Sequence, residues 1–156
     1  MIVELARLKP GGEQAEGEES PAILELEPDS AVKVLSPIRY KLLVELLPGE
    51  VVVRGTLSCR ASYTCSRCAQ PFEKEVRVPD FICVREYRDL TEPIDLTENM
   101  REDIILAFPN YPVCSSGCRG LCPQCGVNLN EKTCSCRPPK EIPAWDALDR
   151  LKRKME

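Results

Sequence analysis

The tightest constraint on this chain is that its cysteines come in close pairs: Cys65/Cys68, Cys114/Cys118, Cys122/Cys125 and Cys134/Cys136. Such spacing lets two thiolates converge on one centre through a tight turn. The run Cys122-Pro123-Gln124-Cys125-Gly126 has the form of a zinc knuckle, with Pro inside the turn and Gly after it to take a positive φ. One pair would say little. Four pairs in one short chain point to metal. Ten cysteines also suit a disulfide framework in a secreted protein. The opening Met1-Ile2-Val3-Glu4 lacks the basic-then-apolar pattern of a secretory signal and reads as a cytoplasmic start, which favours metal over disulfides. Redox chemistry at a C-x-x-C is the remaining alternative.

The 156 residues contain no histidine. Histidine ligands, histidine general bases and every Ser-His-Asp or Cys-His nucleophile arrangement are therefore excluded. Metal here has to be held by sulfur, and four thiolates close a coordination sphere, as structural rather than catalytic sites do. The expectation is about two structural zinc ions on Cys65, Cys68, Cys114, Cys118, Cys122, Cys125, Cys134 and Cys136, in a protein that is not an enzyme. Nothing resembles an iron–sulfur run, although four-thiolate geometry alone does not separate the two metals. Neighbouring pairs combine into two quartets in three ways. Loop-closure entropy favours the most local: Cys122/Cys125 with Cys134/Cys136, leaving Cys65/Cys68 with Cys114/Cys118. The main rival is one C-terminal site, with the other two pairs only partly used.

Along the chain, Met1 to Leu8 reads as a short strand, and the acidic, Gly-rich stretch 10–21 as a loop. From Ile38 the alternation is clear. Ile38, Tyr40, Leu42, Val44 and Leu46 share one strand face, Pro48-Gly49 turns the chain, and Val51, Val53, Gly55, Leu57, Cys59, Ala61 and Tyr63 share the next. Phe72, Val76, Val78, Ile82 and Val84 predict a third buried face, with Cys83 out of phase and without a role, whereas Cys59 reads as an inert core thiol. Cys65 and Cys68 then lie at the tip of a hairpin. Asp95 and Glu98 have capping-box spacing ahead of a helix ending near Phe108, with Leu96, Met100, Ile104, Ile105 and Phe108 on its buried face. The segment from Cys114 to Cys136 has few apolar residues and needs metal to be ordered. Beyond Pro138-Pro139, Trp145, Leu148 and Leu151 fall on one side of a short helix, which either docks on the rest or serves as a free basic tail.

The fold class expected is mainly β (α+β), a small antiparallel barrel or curled meander with one or two helices and a zinc-knuckle module. Its divisions are a β-rich domain over 1–110 with a helix at about 96–108, a cysteine-rich module over 111–138, and a docking helix over 139–156. No apolar run approaches the length of a membrane span. The net charge of −4 argues against indiscriminate coating of nucleic acid, but not against a local basic face.

Three features in one order carry a family resemblance: Thr64-Cys65-Ser66-Arg67-Cys68 after a Val-x-Gly-x-Leu strand, Asp95-Leu96 leading to Arg101-Glu102-Asp103-Ile104-Ile105-Leu106-Ala107-Phe108-Pro109, and the run from Cys118 to Asn130 followed by Cys134-Ser135-Cys136. From about Ile38 onward the chain resembles the YceD-like family (domain of unknown function 177). The resemblance implies a bacterial or organellar protein needed for accumulation or maturation of 23S ribosomal RNA. The leading expectation is a non-catalytic ribosome-biogenesis factor that binds ribosomal RNA, a large-subunit precursor or a ribosomal protein, with neither a membrane nor a small-molecule substrate as partner. Arg60, Arg67 and Arg119, near the cysteine pairs, are the candidate phosphate contacts; balancing thiolate charge is an equal alternative for them. A protein-binding adaptor that never touches RNA and a thiol oxidoreductase using Cys65 and Cys68 are the competing readings.

Overall fold

The computed structural model describes residues 1–8 and 11–136. Its spine is β5 (Glu50–Thr64), whose alternation buries Val51, Val53, Leu57, Cys59, Ala61 and Tyr63 on one face. β4 (Ile38–Leu47) pairs with it antiparallel through the Pro48-Gly49 turn, where Gly49 takes a φ of 83°. β3 (Val32–Val34) continues that edge, Val34 facing Ala61 and Val32 facing Tyr63. Between β3 and β4 the backbone N–H of Arg60 donates to Ser36 Oγ at 2.9 Å, filling the gap in the ladder. β6 (Pro71–Glu86) runs along the other edge of β5. β2 (Glu13–Glu19) pairs with the outer edge of β4, so the described sheet is open and antiparallel and not a barrel.

A two-stranded ribbon of β1 (Ile2–Glu4) and β7 (Pro93–Asp95) leads into α1 (Thr97–Leu106). Leu96, Met100 and Ile104 are buried with Leu5, Leu24 and the inner face of the sheet in one core. Tyr63 stacks on Phe72 at 5.7 Å and meets Phe108 edge-on at 6.3 Å. Phe72 packs both on this core and on the buried cysteines at the hairpin tip, so the apolar interior continues up to the sulfur atoms.

Three expectations are corrected. The acidic stretch is not a loop: Glu13–Glu19 is an edge strand. What makes it one is the ladder to β4 together with cross-strand charge pairs, Glu16 with Lys41 at 3.3 Å and Glu18 with Arg39 at 3.1 Å. The outer half of β6 is in the opposite phase from that expected. Gly55 faces Phe81 while Leu57 faces Val78, so β6 spends three residues where β5 spends two. This bulge at Pro79-Asp80 turns Phe81 and Cys83 inward and leaves Ile82 and Val84 exposed. The helix is shorter than expected, with Ile105 exposed, and its start is no capping box. Asp95 Oδ1 accepts the Thr97 N–H at 2.9 Å, and Glu98 instead pairs with Arg101 at 3.1 Å. The expected C-terminal helix lies outside the described residues.

Candidate metal centres

β5 ends at Thr64 and β6 starts at Pro71, and the six residues between them form a tight tip. The Cys65 N–H donates to Gln70 O and the Ala69 N–H to Cys65 O, each at 2.9 Å, with Ala69 in the left-handed region at φ 57°. This curl turns Cys65 and Cys68 inward. After α1 the chain returns across the tip. The Ser66 N–H donates to Pro112 O at 2.8 Å and the Cys114 N–H to Cys65 Sγ at 3.4 Å. The sulfurs of Cys65, Cys68, Cys114 and Cys118 all lie within 4.8 Å of one another, and this group is called the hairpin quartet below. Two of its edges measure 3.9 Å (Cys65–Cys118) and 3.8 Å (Cys68–Cys114). A sulfur tetrahedron around zinc, with Zn–S bonds of about 2.3 Å, has edges of about 3.8 Å, so the donor set fits such an ion.

The knuckle quartet is Cys122, Cys125, Cys134 and Cys136, again within 4.8 Å. Its turn is closed by the Gly126 N–H donating to Cys122 O at 2.9 Å and the Cys122 N–H to Val127 O at 2.8 Å, with Gly126 at φ 73°. In the hairpin quartet Cys65, Cys68 and Cys118 are buried and Cys114 is exposed; in the knuckle quartet Cys122 is buried, Cys134 and Cys136 are half-buried and Cys125 is exposed. The quartets therefore follow the more local of the combinations considered, and their members divide as two sets of four.

The thiols within each quartet are driven apart in acidity. Burial opposes the Cys65 thiolate, but the N–H groups of Cys114, Cys68 and Arg67 bring its pKa down to about 6. The Gln70 N–H favours the Cys68 thiolate, yet burial and the neighbouring sulfurs push it up to about 12. Cys118 is lowered, first by the Asn130 side-chain N–H, and Cys114 is raised by burial and by Cys118. In the knuckle quartet the N–H groups of Cys125 and Gln124 bring Cys122 down to about 6, and the Cys125 sulfur, burial and the Cys122 sulfur push Cys136 up to about 12. Sulfurs this close cannot all ionise by themselves. A cation among them would release the remaining protons.

The two quartets share a short stretch of chain. The Leu121 N–H donates to Arg67 O at 3.0 Å and the Leu129 N–H to Gly120 O at 2.9 Å, while Leu121 bridges Asn128. Gly120 takes φ 75°, and a Cβ there would lie 3.0 Å from the Arg67 carbonyl oxygen, so glycine is required at this crossing. Of the three candidate arginines, Arg67 donates from Nη1 to Cys118 O at 3.2 Å, and the Arg119 N–H donates to Asn130 Oδ1 at 2.8 Å. Arg60 stands on the exposed face of β5, five residues from Cys65 and so roughly 16 Å up the strand. Asn130 carried no role in the sequence. Its place between the two halves of the knuckle was legible, but not its contact with Cys118.

A pKa near 6 at Cys65 is also what a reactive thiol has. Here, however, the pair is buried at a hairpin tip and not placed at a helix N-terminus, and Cys114 and Cys118 complete a sulfur tetrahedron around it.

Residues 80–152 match the family described as large ribosomal RNA subunit accumulation protein YceD. An uncharacterized protein of Mycobacterium tuberculosis is 33% identical over 147 residues, covering 83% of this chain and 70% of that protein. The chloroplastic large ribosomal RNA subunit accumulation protein YCED homolog 1 of Arabidopsis thaliana is 30% identical over 63 residues, 40% of this chain and 20% of that protein. Its Zea mays counterpart is 41% identical over 46 residues, 29% of this chain and 16% of that protein. No solved structure matches the chain. The three sequence features named above, the family match over the helix and cysteine module, and the relative aligned over most of both lengths agree: the chain belongs to the YceD family.

Proposed function

We propose that this chain is a non-catalytic factor in the accumulation or maturation of large-subunit ribosomal RNA, held together by two structural zinc ions and acting in the cytoplasm on ribosomal RNA or a large-subunit precursor. The observation that carries the reading is the family match over residues 80–152, the part of the chain that supplies six of the eight quartet cysteines. The process comes from the relatives' names. Cys65, Cys68, Cys114 and Cys118 would hold one ion, and Cys122, Cys125, Cys134 and Cys136 the other. Bound zinc supplies charge neutralisation and a crosslink, and closed four-sulfur sites leave no position open for a substrate.

The fixed backbone at the cysteine end favours Arg67 and Arg119 as the cations that would face RNA. Arg39, Lys41, Arg54 and Arg77 each lie within 3.3 Å of a glutamate carboxylate. Arg60, Arg67 and Arg119 have no acidic partner among the described residues. Arg67 and Arg119 sit on backbone fixed by the quartets, so little entropy is lost when they meet a phosphate, and guanidinium suits phosphate by paired hydrogen bonds. The test is cross-linking in cells with sequencing of the attached RNA, on wild type and on the Arg67→Glu/Arg119→Glu double variant. Large-subunit RNA is expected on the wild type and a clear loss on the variant, with zinc content unchanged. Wild-type co-purification with a ribosomal protein and no RNA cross-links would instead favour the adaptor reading. Equal RNA cross-linking by both proteins would make the two arginines structural.

A further inference from the structure

The side chain of Asn130 belongs to the loop that joins the two halves of the knuckle quartet, yet its hydrogen bonds reach the hairpin quartet. Its Nδ2 donates to Cys118 Sγ at 3.4 Å, and its Oδ1 accepts the Arg119 N–H at 2.8 Å. Its orientation is set within the loop. Nδ2 also donates to Asn128 Oδ1 at 2.8 Å, the Asn130 N–H donates to the same oxygen at 3.1 Å, and Asn128 Nδ2 is held by Glu131 at 2.8 Å. Because its Oδ1 accepts the Arg119 N–H while its Nδ2 faces the acceptor Asn128 Oδ1, the Asn130 carboxamide has one favourable orientation. It is the orientation that presents an N–H to the sulfur.

The loop from Val127 to Glu131 has almost no core of its own. Val127, Asn128 and Leu129 are only half-buried, and Asn130 and Glu131 are exposed. What fixes its ends is Cys125 on one side and Cys134 on the other. An unligated knuckle would leave Asn130 tethered only by hydrogen bonds that solvent can replace.

We infer that Asn130 couples the two centres: metal in the knuckle quartet holds the loop in the position from which Asn130 bonds the Cys118 thiolate, and so raises the affinity of the hairpin quartet for its own metal. The inference rests on the proposal that both quartets bind metal. An N–H···S bond favours the ionised, ligating form of the sulfur. Partners outside the ligand set are typically worth about 10–100-fold in metal affinity. The amide here is partly exposed, so the expected effect is about tenfold, at the low end of that range. Linkage requires the converse as well. Filling the hairpin quartet must strengthen the knuckle quartet by the same factor.

The experiment is a zinc titration of the full chain against a chromophoric chelator, paired with cadmium-113 resonances to tell the two sites apart. Four proteins are compared: wild type, Asn130→Asp, Cys125→Ser/Cys134→Ser, and the combination of all three changes. Asn130→Asp keeps the acceptor for Arg119 but replaces the donor to Cys118 with a carboxylate. It should still bind two ions, which verifies its fold, with the hairpin site about tenfold weaker and its cadmium resonance displaced. Cys125→Ser/Cys134→Ser should lose the knuckle ion and weaken the hairpin site by a similar factor. The combined variant should be no weaker than either, because both changes remove one interaction. A hairpin affinity unchanged in either parent variant, or losses that multiply in the combination, would overturn the coupling while leaving both metal sites standing. A wild type that binds no metal would overturn the sites themselves.

Discussion

At the scale of single residues, two glycines on the sheet look alike in sequence but differ in what surrounds them. A Cβ at Gly55 would overlap the carbonyl oxygen of Lys41 on the neighbouring strand, which is backbone and cannot move aside. A Cβ at Gly17 would come within 2.5 Å of Tyr40 Oη, the free end of a side chain that can swing. Gly55→Ala is therefore expected to cost about 2 kcal/mol or more, and Gly17→Ala less than about 1 kcal/mol, by urea unfolding. Tyr63 offers the opposite sign. Its hydroxyl is buried without a hydrogen-bond partner among the described residues, and burial, with Cys59 nearby, pushes its pKa up to about 12. Tyr63→Phe keeps the ring contacts with Phe72 and Phe108 and removes the orphan group, so stability should be unchanged or rise by about 1 kcal/mol. A loss of that size would mean the hydroxyl has a partner. The quartet cysteines were legible in sequence because each pair is local. Asn130 was not, since its partner Cys118 is fixed only once the knuckle has folded back.

Among the elements, β6 most clearly separates pattern from structure. The expected alternation holds from Phe72 to Val78, fails at Pro79-Asp80, and resumes inverted. Phe81→Ala should cost about 3–5 kcal/mol, the usual range for a buried Phe. Ile82→Thr, at a position 64% exposed, should change stability by less than about 0.5 kcal/mol. Thermal midpoints in the reverse order would restore the phase read from sequence. The bulge was invisible because a run of Phe, Ile and Val supports either phase locally, and the partner strand makes the choice. β2 escaped for a related reason. A strand carrying four glutamates in seven residues gets little from burial, and its order comes from the ladder and charge pairs supplied by β4. β4 and β5 were legible almost residue by residue, because one-sided burial writes a period of two into the chain.

For the whole molecule, the two quartets close very different lengths of chain. The hairpin quartet joins residues 46 and 53 apart, tying the end of the sheet to the segment after α1, whereas the knuckle quartet lies wholly within 122–136. Cys68→Ser should lower the thermal midpoint of the entire fold and raise amide exchange on both sides of the hairpin tip. Cys125→Ser should have the smaller global effect, with exchange rising chiefly across the segment from Arg119 to Cys136. Equal midpoints for the two variants would contradict this division. The same span sets a timetable during synthesis. At about 5–20 residues per second, Cys65 and Cys68 leave the ribosome roughly 2–10 s before Cys114 and Cys118. For that interval the proposed hairpin site has only two of its four thiols, open to oxidation or to a borrowed ion. The knuckle cysteines follow one another within about 1–3 s. The centre begun first is thus finished only as the later one is being made, and β6, which follows Cys68, is added to the sheet while those first two thiols still wait for their partners.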